Sequence, residues 1–536
     1  MVSPEWQLLI DEKRAHRDAC IPFEWRVPKH IVDKVSPEAT VSAFDLLRES
    51  ELLTERDNEL TELYDATSLL ELLAAKIVSS VEVTTAFCKR AAIAQQLTNS
   101  LTEIFFDEAI ARARSMDEYL QKAGKPMGPF HGLPISVKDM FDIEGQFTTL
   151  GYVAHLKNPK ATNNVAIVDI LLRGGAVLYC KTTVPQALFA MEGFNYVFGQ
   201  AMNPHKLCLG TGGSSSGEGA LVAFRGSVLG VGSDMGGSIR APSLCNGTFG
   251  VKLSANRLPY KPQKELFPKG WPGIMLSIGP HANSARDLTL FCKSVLQMEP
   301  WRLEPRNLAI PWRNISRKEH LKIAVWLDDP DFPVSPPVSR IMASAVDALR
   351  KAGHQVRMLT EPPSLLKAFN TARKSLSFDT DQTAIIPLRK AGEKMGPILE
   401  QIFEQAPGSS GTPGLSDVLN VNASKEDLRE QLAKIWQGEQ LDALICPGSR
   451  NTAVPHGEYG IPAWTMIWNL LDFPASVIPY LKADKFLDDK SMDEYNADVV
   501  HGAPGSIQVV GWPLQDEELL MATEVISSAL CSASDH

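Results

Sequence analysis

The sequence contains no apolar run approaching the roughly 18 residues that cross a membrane as a helix. It also has no CxxC pair or finger spacing, no basic block and no long Pro/Gly/Ser linker. Each absence excludes a class. The eight cysteines (Cys20, Cys88, Cys180, Cys208, Cys245, Cys292, Cys446 and Cys531) are too scattered for a zinc site or a disulfide framework. They read as reduced packing residues, and neither a metal nor a cofactor is expected. The net charge of −10 is spread among interspersed acids and bases, without the basic stripe that a nucleic-acid partner requires. The opening "MVSPEWQLLIDEKRAHRDAC" is charged from Glu5 onward and has no signal-peptide apolar region, which points to the cytoplasm.

What is present is material for a large core: 44% of the 536 residues are hydrophobic and 22% charged. Residues 1–65 read as an N-terminal helical arm and 66–536 as one large domain. In "SLLELLAAKIVSSVEVTTAFCKRAAIAQQ", Ser68 with Glu71 and Ser79 with Glu82 fit capping boxes, predicting two successive helices. Short apolar strands are expected at 133–137 ending on Lys138, at 176–180, within 227–234, in "LKIAVW" and in "LDALICP". Between the first three of these lie the helix-like "VAIVDILLRGG" and "EGALVAFRG". This alternation predicts an α/β fold with a central mixed, mostly parallel sheet covered by helices on both faces. Residues 335–440 read as a mostly helical region, with a flexible loop at 407–414.

The stretch "GTGGSSSGEG" at 210–219 is too small to build core, and three readings compete for it. A phosphate cradle fails, because no Lys-Ser/Thr follows the glycines and Glu218 sits where positive charge would help. The dinucleotide fingerprint fails too, because Ser215 occupies its third glycine position. A nucleophile elbow is formally matched by Gly213, Ser215 and Gly217, which would give an esterase with Ser215 and a histidine such as His456 or His501. The third reading joins this turn to a second one, "DMGGSIR", directly after the 227–234 strand.

These two turns, with "GLPISVKD" upstream, resemble the amidase signature family, and the resemblance runs from about residue 66 to "APGSIQVVGWPLQDEELLMA". "NYVFGQAMNPH" and "SIGPHANSARDL" are similar to further landmarks of that family. The opening "WQLLIDEKRAHRDACIPFEWRVP" and the late "WNLLDFPASVIPY" are most similar to fungal general amidases. The resemblance implies hydrolysis of a small-molecule carboxamide through an acyl-serine intermediate. Ser238 would be the nucleophile, Ser214 a bridging serine and Lys138 the base. The Gly213–Ser214 peptide bond would be cis. The family also includes amidase subunits of acyl-transfer assemblies; a monomer or homodimer is expected here.

The chemistry needs an activated nucleophile, an oxyanion site and a proton donor for the leaving nitrogen. Lys138 can act as a base only if burial lowers its pKa from about 10.4, so Asp139 and Asp142 are expected to point away from it. Met235, Gly236, Gly237 and Ser238 supply closely spaced N–H groups for an oxyanion, with Ser215 as a further backbone or hydrogen-bonding element. Asp234 and Arg240 are expected to hold the turn by charge-assisted hydrogen bonds. Ser216 departs from the family's usual glycine and would be strained if the position needs a positive φ. Trp464, Trp468, Phe473 and Tyr480 either line a pocket or belong to the core, and His131 reads as a loop residue.

Overall fold

A computed structural model describes residues 4–261, 264, 266–404, 413–488 and 495–534. Among these, eleven strands form one sheet: β1 Leu101–Ile104, β2 Pro134–Lys138, β3 Val177–Thr182, β4 Leu229–Asp234, β5 Phe249–Lys252, β6 Ser277–Ala282, β7 Lys322–Val325, β8 Gln355–Met358, β9 Ala443–Cys446, β10 Ala475–Lys482 and β11 Pro504–Val510. Their spatial order is β1-β3-β2-β4-β6-β5-β10-β11-β9-β7-β8. The sheet is mixed. Its parallel character lies in two blocks, β3-β2-β4 and β9-β7-β8, and the strands between them pair antiparallel, as does the β1 edge.

Helices cover both faces, and the alternation along β10 explains how. Successive strand residues point to opposite sides. Val477 packs with Ala241 and Leu244 of helix Arg240–Asn246, whereas Ile478 joins the cluster of Leu519 and Ile526 in helix Asp516–Ser534. The N-terminal segment is helical at Pro4–Ala19 and Ala43–Ser50. It is fastened to the sheet side by Arg17 Nη1 donating to Leu101 O and by the Lys13–Glu103 ion pair.

All five expected strands are found, within a few residues of their expected ends. Six more had no clean apolar run to announce them: β6 carries Pro280 and His281, β10 carries Pro479, and β8 is a polar, largely exposed edge strand inside the otherwise helical 335–440 region. Of the capping box expected at Ser79 the first half is present, the Ser79 side chain accepting from Glu82 N, while the Glu82 side chain turns to Arg56 Nε. The cap at Ser68 is absent. Asp65 caps helix Ala66–Ala74 by accepting from Ser68 N, because it is the residue held in extended conformation just before the helix. Residues 407–412 of the expected flexible loop lie outside the described residues.

Buried charge fixes the far side of the sheet. Asp516, at the start of the last helix, accepts from Ser254 N and, at 2.7 Å, from Arg257 Nη1, and neither side chain reaches solvent. Replacing Arg257 by Met strands that carboxylate and is expected to cost about 3–5 kcal/mol, read as a lowered midpoint of thermal unfolding. An unchanged midpoint contradicts this.

Candidate active site

Lys138 is the last residue of β2, and Asp234 the last of its parallel neighbour β4, so both turns open at the carboxyl edge of the sheet. Ile135 and Val137 point into the apolar core. Ser136 and Lys138 therefore point to the other face, towards helix Ser216–Ala223. Lys138 is fully buried, and its Nζ lies 2.8 Å from Ser214 Oγ and 2.9 Å from Ser233 Oγ. Burial lowers its pKa to about 7, against the opposing pull of the Asp234 and Glu218 carboxylates. Asp139 is turned away to Lys181 at 2.8 Å and to Thr149, and Asp142 acts on Lys264 rather than on Lys138.

The two glycine-serine turns are joined by Ser215 N donating to Ser238 O at 3.1 Å, and the Gly213–Ser214 peptide bond is cis. Asp234 organises the second turn. Its carboxylate accepts from the backbone N–H groups of Gly237, Ile239 and Arg240, from both Nε and Nη2 of Arg240, and from Asn469 Nδ2. Burial pushes the Asp234 carboxyl up, but the Arg240 guanidinium and these donors outweigh it and hold the group well below the usual carboxylate range. Arg240 also reaches Gln508 Oε1 at 2.8 Å and Asn469 Oδ1 at 2.6 Å, so its donors are shared among three elements.

The four N–H groups of this turn do not act alike. Gly237 has a φ of +129°, donates inward to Asp234 Oδ1 at 2.9 Å, and a Cβ there would meet Thr465 Oγ1 at 2.3 Å. It therefore serves the Asp234 network and does not line the cavity. Met235, Gly236 and Ser238 line the cavity, together with Ser214 and Ser233. Ser215 is fully buried behind that wall, and its hydroxyl faces Ser233 O. Ser216 opens its helix without a positive φ and donates to Glu192 O at 2.8 Å, so the expected strain is absent.

The histidines considered for an esterase are engaged elsewhere. His456 Nε2 contacts Leu207 O and its Nδ1 faces Glu192, while His501 lies near Asp484. His131 sits in the loop before β2, where its Nδ1 accepts from Met127 N.

The cavity has a volume of about 370 Å³ and runs from the serines into an apolar chamber whose walls include Phe189, Phe267, Ile274, Leu276, Phe369 and Met466. Trp464, Trp468 and Phe473 are core residues packed around Trp326, Trp436 and Trp512. Tyr480 is largely buried and hydrogen-bonds Ser344. Ser233, Thr465, Asn469 and Gln508 also belong to the site, although no motif marks them. Of these only Ser233 left a signal, as the neighbour of Asp234 in the same strand; the others come from chain segments more than 200 residues away. Among the described residues no cluster of His, Cys, Asp and Glu could hold a metal ion.

The Amidase family model matches residues 82–520. An amidase of Gibberella moniliformis is 51% identical over 99% of this chain and 100% of that relative. An acetamidase of Emericella nidulans is 35% identical over 98% of each. Among solved structures, a fatty acid amide hydrolase superposes with a TM-score of 0.90 at 31% identity, covering 98% of this chain and 95% of that one. With the family matched over most of its length and a relative half identical from end to end, the chain belongs to the amidase signature family and is an amidase acting on carbon–nitrogen bonds other than peptide bonds.

Proposed function

We propose that this amidase works through an acyl-enzyme on Ser238, with Ser214 relaying protons to Lys138. The observation that carries the reading is the 2.8 Å contact between buried Lys138 Nζ and Ser214 Oγ, on a cavity wall shared with Ser238. Neutral Lys138 takes the Ser214 proton as Ser214 takes that of Ser238, and Ser238 Oγ adds to the amide carbon. The Met235, Gly236 and Ser238 N–H groups are the candidates to receive the developing oxyanion; Gly237, turned to Asp234, is not. Collapse breaks the C–N bond, and the proton returns through Ser214 to the leaving nitrogen. A water, deprotonated by the same relay, then cleaves the Ser238 ester and releases the carboxylic acid.

For the substrate, the names of the relatives point in two directions, acetamide and fatty acid amides. The apolar chamber favours the second, a carboxamide with a large apolar group, since acetamide would leave most of it unfilled. Gly236 faces the methyl ends of Met466 and Met191, and such flexible thioethers adapt to groups of differing shape.

Three outcomes are expected. Ser238→Ala abolishes turnover of a primary amide and Lys138→Ala lowers kcat by about 10²–10⁴-fold; full activity in Lys138→Ala would sink the mechanism, as would fluorophosphonate labelling of Ser215 instead of Ser238. Because Lys138 must be neutral to accept a proton, kcat/KM rises with pH through about 7 and then levels off; a profile flat from pH 5 to 9 contradicts this. Across a series of linear primary amides kcat/KM climbs about fourfold per methylene, the equivalent of about 0.8 kcal/mol, until the chamber is full. A preference for acetamide removes the substrate reading and leaves the mechanism standing.

A further inference from the structure

Glu218 lies one helical turn beneath the site and has no part in the mechanism above. It is fully buried, and its two carboxylate oxygens are held by separate strands: Oε2 accepts from Ser136 Oγ at 2.6 Å, and Oε1 from Thr182 Oγ1 at 2.8 Å. Ser136 is two residues before Lys138 on the same face of β2, and Thr182 is the residue of β3 opposite Lys138. The fold makes room for this carboxylate: β4 has glycine at 230, where a Cβ would lie 1.9 Å from Glu218 Oε2. Ser136 Oγ also lies 2.9 Å from Ser227 Oγ, whose own hydroxyl donates to Leu229 O. A buried acid with two donors and a dedicated glycine, placed beside a buried lysine, is expensive unless the pair interacts.

We infer that Glu218 is a positioning residue for the reaction: its buried negative charge keeps Lys138 basic enough to work, and so sets the pH at which the amidase becomes active. The inference rests on Lys138 being the base. Lysines buried without compensation fall to a pKa of roughly 5–6, where the neutral amine is a weak proton acceptor. Lys138 is held near 7, with Asp234 and Glu218 as the carboxylates that pull it upward. Asp234 is already bound to Arg240, which leaves Glu218 as the carboxylate without a cation of its own. Burial raises the Glu218 carboxyl to about 7 against its two hydroxyl donors, so its charge develops over the range where Lys138 titrates. The other titratable groups that its charge reaches are Tyr179 and Cys180 on β3, and His281 on β6 stands near Lys138. Burial keeps all three neutral at working pH.

The test is the pH dependence of kcat/KM for the whole enzyme on one amide, with thermal unfolding as a check on folding. Removing the negative charge destabilises the ammonium, so Glu218→Gln is expected to move the acid limb to lower pH by about one unit and, by weakening the base, to lower the alkaline plateau. Thr182→Val keeps the carboxylate but takes away a donor to its charged form, and shifts the limb the same way by less. If Glu218→Gln does not fold, Thr182→Val decides. A role limited to packing lowers the plateau and stability but leaves the limb in place; that result, or a shift to higher pH, overturns the inference. A wild-type enzyme with no limb near neutrality, or an active Lys138→Ala, defeats the lysine mechanism itself and this inference with it.

Discussion

A lysine side chain deprived of water organises this molecule. An ammonium loses several kcal/mol of hydration on burial unless a counter-charge replaces it, and among the described residues Lys138 meets the hydroxyls of Ser214 and Ser233 and no carboxylate in direct contact. The acids that could neutralise it are occupied: Asp139, next to it in sequence, is held by Lys181, and the buried Asp234 on the neighbouring strand by Arg240. Had either contacted Lys138 directly, the amine would be a permanent cation and the edge of the sheet an ordinary buried ion pair. The same dry surroundings that make the amine available as a base also strengthen the hydrogen bonds that aim it.

The second dependence is on the turn after β4. Loops with several glycines have many conformations, and a loop that must hold a serine and a row of amides in place needs that freedom removed. Asp234 removes it by collecting three backbone N–H groups and a guanidinium into one carboxylate. Arg240 then ties the turn to Gln508 on β11 and to Asn469 near the end of helix Ala463–Leu470. Charge-assisted bonds of this kind are short and directional, so the placement of Ser238 is set by a strand and a helix far along the chain. The inward turn of Gly237 follows from the same hub, since its N–H goes to the carboxylate.

Much of this was legible in the residues. Lys138, Ser214 and Ser238 stand in compact segments whose order and spacing identify the family, and five buried strands announced themselves as short, mainly apolar runs. The role of Asp234 and Arg240 could be read because both lie within six residues of each other on one turn. The strands with internal proline or polar residues were not legible, because their burial comes from neighbouring strands and their own pattern carries no period. The helix start falls at Asp65 rather than Ser68 because backbone conformation, which a capping pattern does not encode, decides which residue caps.

The sequence by itself determined the chemistry available, a lysine at a strand end and serines in glycine turns, because those properties belong to single residues and short spacings. Only the tertiary structure decided which of the serines share the cavity wall, that Ser215 lies behind it, that Gly237 faces inward, and that the tryptophans are core rather than pocket. It also decided that Glu218 lies beneath the lysine. Hydrogen bonds and desolvation depend on distances between segments separated by tens to hundreds of residues, and no local pattern encodes those distances.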